Sequence, residues 1–176
     1  MFVDEIKLSV QSGAGGSGSV SFKKTSTKSS PSGGSGGQGG SVIITVNEEL
    51  NDLSHIISNS SLKAENGTDG NKNFQNGKKG KDLIIEVPKG TKIKVDNEVY
   101  ADLHENKSSF IVLEGSKAGR GNYDLISKRV PNPQFCEHGE KRNKIEIKLT
   151  YSIYSDLVIV GLPNAGKSTL ITKLTN

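Results

Sequence analysis

Tryptophan is absent from this 176-residue chain, cysteine and methionine occur once each, and aromatic residues make up only 5%. The lone cysteine, Cys136, excludes an internal disulfide and suits a reducing compartment. No apolar run approaches the roughly 18 residues that a membrane-spanning helix needs. The segment Met1 to Val10 alternates like a strand. It has neither the basic and apolar regions of a signal peptide nor the Arg/Ser character of a transit peptide. The expected location is therefore the cytoplasm. Charge is nearly balanced, with a formal net charge of +4.

What the chain has in excess is glycine: 21 residues, about 12% against a usual ~7%. Each glycine disfavours helix by ~1 kcal/mol, so a helical bundle is not expected. Apolar residues instead recur with the strand period of two. Phe2, Ile6, Leu8 and Val10 share one face, and Val42, Ile44 and Val46 repeat the pattern. Leu83/Ile85/Val87, Ile93/Val95, Phe110/Val112 and Ile145/Ile147/Leu149 continue it. Val87-Pro88-Lys89-Gly90-Thr91 reads as a tight turn between two strands. Asn47 to Ser60 is the one stretch before residue 150 that could coil.

The glycines fall in clusters with an internal spacing of three. Gly13/Gly16, Gly15/Gly18, Gly33/Gly36/Gly39, Gly34/Gly37/Gly40, Gly67/Gly70 and Gly77/Gly80 all follow it. Gly115, Ala118 and Gly121 place small residues at the same interval. Three residues per turn is the polyproline II period, and such a helix makes no internal hydrogen bonds. Its buried amides must find partners elsewhere. A glycine at every third position gives a face without side chains, along which several such helices can approach and bond. The expected fold is mostly β, with a bundle of glycine-rich extended helices standing on a small β-sandwich or barrel. The bland alternative is a flexible Gly/Ser linker.

The character changes near Ser155. Asp156-Leu157-Val158-Ile159-Val160 is a short apolar run of the kind buried in a parallel sheet. Gly161-Leu162-Pro163-Asn164-Ala165-Gly166-Lys167-Ser168 then matches the phosphate-loop pattern G-x-x-x-x-G-K-[ST]. The glycines let successive amides turn toward phosphate oxygens, Lys167 brings a point charge, and the Ser168 hydroxyl can ligate Mg²⁺. A helix starting at Lys167 adds its positive end. The expected nucleotide-binding set is Gly161, Leu162, Pro163, Asn164, Ala165, Gly166, Lys167, Ser168 and Thr169. The domains are accordingly read as 1–154 and 155–176, the second being the truncated start of an α/β P-loop domain. The loop does not choose between ATP and GTP. Asn71-Lys72-Asn73-Phe74 lacks the Asp of a guanine-reading Asn-Lys-x-Asp and precedes the loop, so it is not that motif.

Taken together, these residues resemble the amino-terminal half of the Obg family of GTPases. Carrying the resemblance are Met1-Phe2-Val3-Asp4-Glu5, Gly13 to Gly18 with Val20-Ser21-Phe22, and Gly33 to Gly40 with Ser41-Val42-Ile43-Ile44. Lys63-Ala64-Glu65-Asn66-Gly67, Gly77 to Gly80 with Asp82-Leu83, and Val87 to Thr91 extend it. Ala101-Asp102-Leu103, Gly119-Arg120-Gly121-Asn122, Asn132-Pro133, Gly139-Glu140 and the phosphate loop complete it. The resemblance implies an Obg fold followed by a Ras-like G domain, GTP and GDP binding with slow hydrolysis, and Mg²⁺ at Ser168. It further implies association with the large ribosomal subunit during assembly, and a part in growth and stress control. By analogy with some related GTPases, Asn164 would help hold K⁺. Thr25 to Ser30 and Ser116-Lys117-Ala118 depart from the family pattern. Both switches and the base-reading motifs are missing from these residues, so the fragment is expected not to hydrolyse GTP efficiently.

The basic residues are grouped. Lys23, Lys24 and Lys28 stand in an acid-free stretch from Val20 to Val46, and Lys72, Lys78, Lys79 and Lys81 in another from Lys72 to Lys81. Basic, low-bulk loops suit a phosphate-lined crevice, so these seven lysines are the expected contacts to ribosomal RNA. Solvated lysines are the bland reading. Cys136-Glu137-His138 lacks a second ligand pair at zinc-finger spacing and reads as a surface loop, and His55 and His104 stand alone. The chain is expected to be a monomer. The competing classes are an RNA- or protein-docking module with an inert phosphate-loop stub, and an ATP-dependent P-loop protein.

Overall fold

The computed structural model describes residues 3–24, 28–95, 98–104, 108–152, 160–162 and 165–174. The strands are β1 (Glu5–Gln11), β2 (Phe22–Lys24), β3 (Ser29–Pro31), β4 (Val42–Val46), β5 (Ser61–Lys63), β6 (Leu83–Val87), β7 (Thr91–Val95), β8 (Glu98–Leu103), β9 (Ser109–Leu113) and β10 (Ile145–Tyr151), and the helix is α1 (Lys167–Leu174). A five-stranded sheet has the order β5-β1-β10-β7-β8, a three-stranded sheet the order β6-β4-β9, and β2 and β3 form a hairpin.

The alternating pattern decides which faces meet. Ile6, Leu8 and Val10 of β1 and Ile147 and Leu149 of β10 join Val42, Ile44 and Val46 of β4 and Ile85 and Val87 of β6 in one buried cluster. The two sheets therefore enclose a sandwich core. The Val87–Thr91 turn passes the chain from one sheet to the other. Gly90 has φ +86° there, a conformation that suits glycine, and the Thr91 hydroxyl donates to the Pro88 carbonyl at 2.7 Å.

The stretch Asn47 to Ser60 forms turns, not the coil its composition allowed. The Asn47 side chain accepts the Glu49 amide at 2.9 Å and the Asp52 side chain accepts the Ser54 amide at 3.0 Å. These local bonds divert the backbone from helix. Leu53, fully buried, anchors the segment to the core.

Between the strands run six extended segments: 12–21, 32–41, 64–71, 75–82, 114–122 and 136–144. They pair by backbone bonds at intervals of three. The amides of Gly13, Gly16 and Ser19 donate to the carbonyls of Gly40, Gly37 and Gly34. Those of Gly34, Gly37 and Gly40 donate to Asn71, Thr68 and Glu65, and those of Gly15 and Gly18 to Glu140 and Glu137. The polyproline II turn points successive amides in three directions, and segment 12–21 uses all three. Its third direction is taken by side chains: Ala14 donates to Asn66 Oδ1 at 3.0 Å and Ser17 to Asp69 Oδ1 at 2.7 Å. A Cβ on any of the eighteen bundle glycines would stand 1.8 to 2.3 Å from a neighbouring carbonyl oxygen. This contact requires glycine, and it excludes the flexible-linker alternative. Within 114–122 the close approaches fall at Gly115, Gly119 and Gly121, so Ala118 keeps its methyl.

Candidate functional site

Segments 12–21, 64–71 and 114–122 leave the sandwich from β1, β5 and β9, and segments 32–41, 75–82 and 136–144 return to β4, β6 and β10. At ~3.1 Å per residue the shaft reaches about 25 Å from the sheets to a distal tip. The tip consists of the β2–β3 hairpin, the 71–75 turn and the loop from Tyr123 to Phe135. Asn122, fully buried, ties these pieces together. Its Oδ1 accepts the Gly33 amide at 2.8 Å, and its Nδ2 donates to the carbonyls of Ser21 at 3.0 Å and Pro133 at 3.2 Å. The hydroxyls of Ser21 and Ser32 meet beside it at 2.9 Å.

The lysines divide between two places. Lys23 and Lys24 on β2, Lys28 before β3 and Lys72 in the 71–75 turn are exposed at the tip. Lys78, Lys79 and Lys81 lie farther down the shaft on the segment returning to β6. Lys79 is committed to an ion pair with Asp82 at 3.2 Å. The sequence reading missed the exposed tip aromatics Phe22, Phe74, Tyr123 and Phe135, as well as Lys128 and Arg129 in the last tip loop. Aromatics between basic residues on glycine-bounded loops were the available signal.

The Cys136-Glu137-His138 loop has a structural explanation. Arg120 grips Glu137 through Nε at 2.9 Å and a second guanidinium nitrogen at 2.6 Å. This clamp holds the carboxyl of Glu137 down at about 2 and raises the Arg120 guanidinium. It fastens segment 114–122 to segment 136–144. Among the described residues, no three His, Cys, Asp or Glu side chains converge on a metal position. His55 Nε2 lies 2.9 Å from the Glu86 carbonyl and His104 pairs with Asp102 at 2.7 Å.

At the carboxy end, the apolar run 156–159, Pro163 and Asn164 lie outside the described residues, as does the expected boundary at 154/155. The rest of the phosphate loop leads into α1, which begins at Lys167. Gly166 has φ +78°, with open space where a Cβ would be. The Lys167 ammonium folds back over the loop, donating to the carbonyls of Gly161 at 2.8 Å and Leu162 at 2.6 Å. Amides in the first turn of a helix have no carbonyl four residues back to bond. Those of Lys167, Ser168 and Thr169 stand in this first turn at the helix's positive end, beside the Lys167 ammonium. This donor set fits an anion with several oxygens, and the Ser168 hydroxyl at its rim fits a hard cation such as Mg²⁺. Among the described residues no helix is long and apolar enough to cross a membrane.

Comparisons with known proteins agree with this architecture. The family description GTP1/OBG matches residues 3–153, and one called 50S ribosome-binding GTPase matches residues 156–176. The chain is 43% identical to a GTPase Obg of Nautilia profundicola, over all of this chain and 50% of that protein. It is 41% identical to one of Finegoldia magna, over all of this chain and 43% of that protein. A GTPase Obg of Streptococcus thermophilus is 38% identical over 99% of this chain and 41% of its own length. The chain thus spans half or less of the curated relatives it matches. With the glycine-built bundle on its β-sandwich matched from residue 3 to residue 153, the chain belongs to the GTP1/OBG family.

Proposed function

We propose that this chain is the docking domain and phosphate loop of a Mg²⁺-dependent GTPase of the cytoplasm that associates with the large ribosomal subunit and acts in its assembly. Gly161 through Thr169 bind the phosphates of GTP or GDP, and Ser168 is a magnesium ligand. When bound, Mg²⁺ neutralises charge on the β- and γ-phosphates. Lys167 supplies the ammonium, and the first-turn amides of α1 orient the phosphate oxygens. Asn164 is the residue for any K⁺ beside them. Domain 155–176 begins the GTPase unit, whose switches and base-reading motifs lie in the remainder of the protein.

The observation that carries the docking reading is the shape and charge of the tip. A rigid shaft, internally bonded and about 25 Å long, ends in exposed Lys23, Lys24, Lys28 and Lys72. Lys78 and Lys81, three residues apart and exposed, carry positive charge down the shaft, while Lys79 is paired with Asp82. Narrow, low-bulk and basic, the bundle suits a crevice lined with RNA phosphates. Growth and stress control follows if nucleotide state governs docking.

The test is cosedimentation of the full-length protein, loaded with a non-hydrolysable GTP analogue, with large subunits at two salt concentrations. Two charge reversals are compared: Lys23, Lys24 and Lys72 to Glu at the tip, and Lys78, Lys79 and Lys81 to Glu on the shaft. The tip set is expected to abolish pelleting and the shaft set to weaken it. Pelleting unchanged in both variants rejects the contact. A Lys167→Ala variant that retains guanine nucleotide rejects the phosphate-loop assignment.

A further inference from the structure

We infer that the tip recognises an unpaired stretch of RNA, stacking one nucleobase on the Phe74–Tyr123 ring pair; this rests on the RNA-docking reading above. The two rings meet edge to face, with centroids 4.8 Å apart and an interplanar angle of 79°. Phe74 is 46% exposed and Tyr123 49%. An edge-to-face pair leaves a ring face uncovered, which is the surface a base needs.

Phe74 is held in this position against its own preference. Its φ is +62°, and Asn73 before it has φ +58°. Asparagine tolerates this left-handed region, but a bulky aromatic there is an outlier. Glycine, so abundant in this chain, would occupy position 74 without strain. The backbone that imposes the conformation is firmly tied. Phe74 donates its amide to the Ser32 carbonyl at 2.7 Å, Asn71 to Gln75 at 2.8 Å and Tyr123 to Gly33 at 3.3 Å. Both rings are thereby fixed to residues 32–33, next to the Asn122 knot. Strain maintained by surrounding structure is characteristic of functional positions.

The surroundings select the partner. Lys23, Lys24 and Lys72 are exposed on the same tip, so the complement is a polyanion. Paired RNA keeps its bases stacked and its major groove too deep and narrow to read, whereas loops and bulges offer free base faces. Rings set among lysines match the usual single-strand platform of stacking surface plus charge.

Fluorescence and affinity measurements on the full-length protein test this, with a short oligouridine, an abasic chain of equal length and a blunt RNA duplex of equal charge as probes. The parent is expected to bind oligouridine more tightly than either control. Phe74→Trp should show quenching with oligouridine and none with the abasic chain. Phe74→Gly is the informative variant, because glycine relieves the backbone. Its thermal midpoint should stay near that of the parent while its affinity for oligouridine falls about 5- to 140-fold, the worth of one stacked base. Its affinity for the abasic chain should not change. Equal binding of oligouridine and the abasic chain by the parent, or equal affinity of Phe74→Gly and parent for oligouridine, overturns the stacking inference. If the parent still pellets with large subunits in that case, RNA docking survives and only stacking fails; if it does not pellet, both readings fail.

Discussion

Replacing Gly37 by alanine would put a methyl carbon 2.0 Å from the carbonyl oxygen of Lys78 and 2.4 Å from its carbonyl carbon. Ordinary van der Waals contact begins at 3.4 Å, so the two segments must part by more than an ångström. The obstacle is backbone, and no rotamer change relieves it. Parting breaks the bonds that join these segments, from Gly77 to Ser35 at 2.8 Å and from Gly80 to Gln38 at 2.9 Å. A buried backbone group left without a partner costs roughly 1–3 kcal/mol. Two broken bonds therefore cost about 2–6 kcal/mol, offset by the ~0.4–1 kcal/mol that alanine takes from the entropy of the unfolded chain. The expected net loss is about 3 kcal/mol, or about 6–12 °C in thermal midpoint for a domain of this size. Ser17→Ala, on a neighbouring segment at a position that already holds a Cβ, is the control and should be near neutral. Calorimetry reads the midpoint, and hydrogen exchange reads the shaft directly. Amides of Gly33–Gly40 should exchange slowly in the parent and faster in Gly37→Ala. A midpoint shift within about 2 °C of the parent, or fast exchange of Gly33–Gly40 in the parent, would refute the reasoning.

Two further expectations follow from the tip and the clamp. Asn122→Ala strands the Gly33 amide and the Pro133 carbonyl and takes one of two donors from the Ser21 carbonyl, which keeps the Ser32 amide. It should cost about 3 kcal/mol in chemical denaturation; a loss below ~1 kcal/mol would show that the tip is not held by this side chain. The Glu137 carboxyl, lowered to about 2 from an ordinary value of 4.5 by the Arg120 hydrogen bonds, contributes stability that is complete above pH 4.5 and lost as pH falls toward 2. The carboxyl resonance of Glu137 should titrate near 2, and Glu137→Gln should flatten the acid limb of the stability profile across that window. Titration at 4.5 would mean that the clamp does not persist in solution.

The strand pairs were readable because one face of each strand is buried, and burial imposes the alternation seen at Ile6/Leu8/Val10 and Val42/Ile44/Val46. Asn47 to Ser60 was misread because Asn47 and Asp52 use their side chains to cap local turns, a competition that apolar spacing does not record. Grouping all seven lysines by sequence proximity also concealed a division. Lys72 and Lys78 are close in the chain, yet one is on the tip and the other down the shaft, because segment 75–82 is extended.

The glycine period by itself determined that extended helices must pack backbone to backbone, since no other residue leaves room for a carbonyl at about 2 Å. The G-x-x-x-x-G-K-S spacing likewise makes a phosphate loop the expectation, because the chemistry of such a loop resides in consecutive main-chain amides. Which segments pair, and in which direction, only the tertiary structure decided. A period of three is the same for every partner, so the choice falls to the strands at each end and to side chains such as Asn66, Asp69 and Asn122 that fill the remaining amide directions. The ring pair at the tip was equally invisible in sequence, because Phe74 and Tyr123 are brought together by two separate loops tied to residues 32–33.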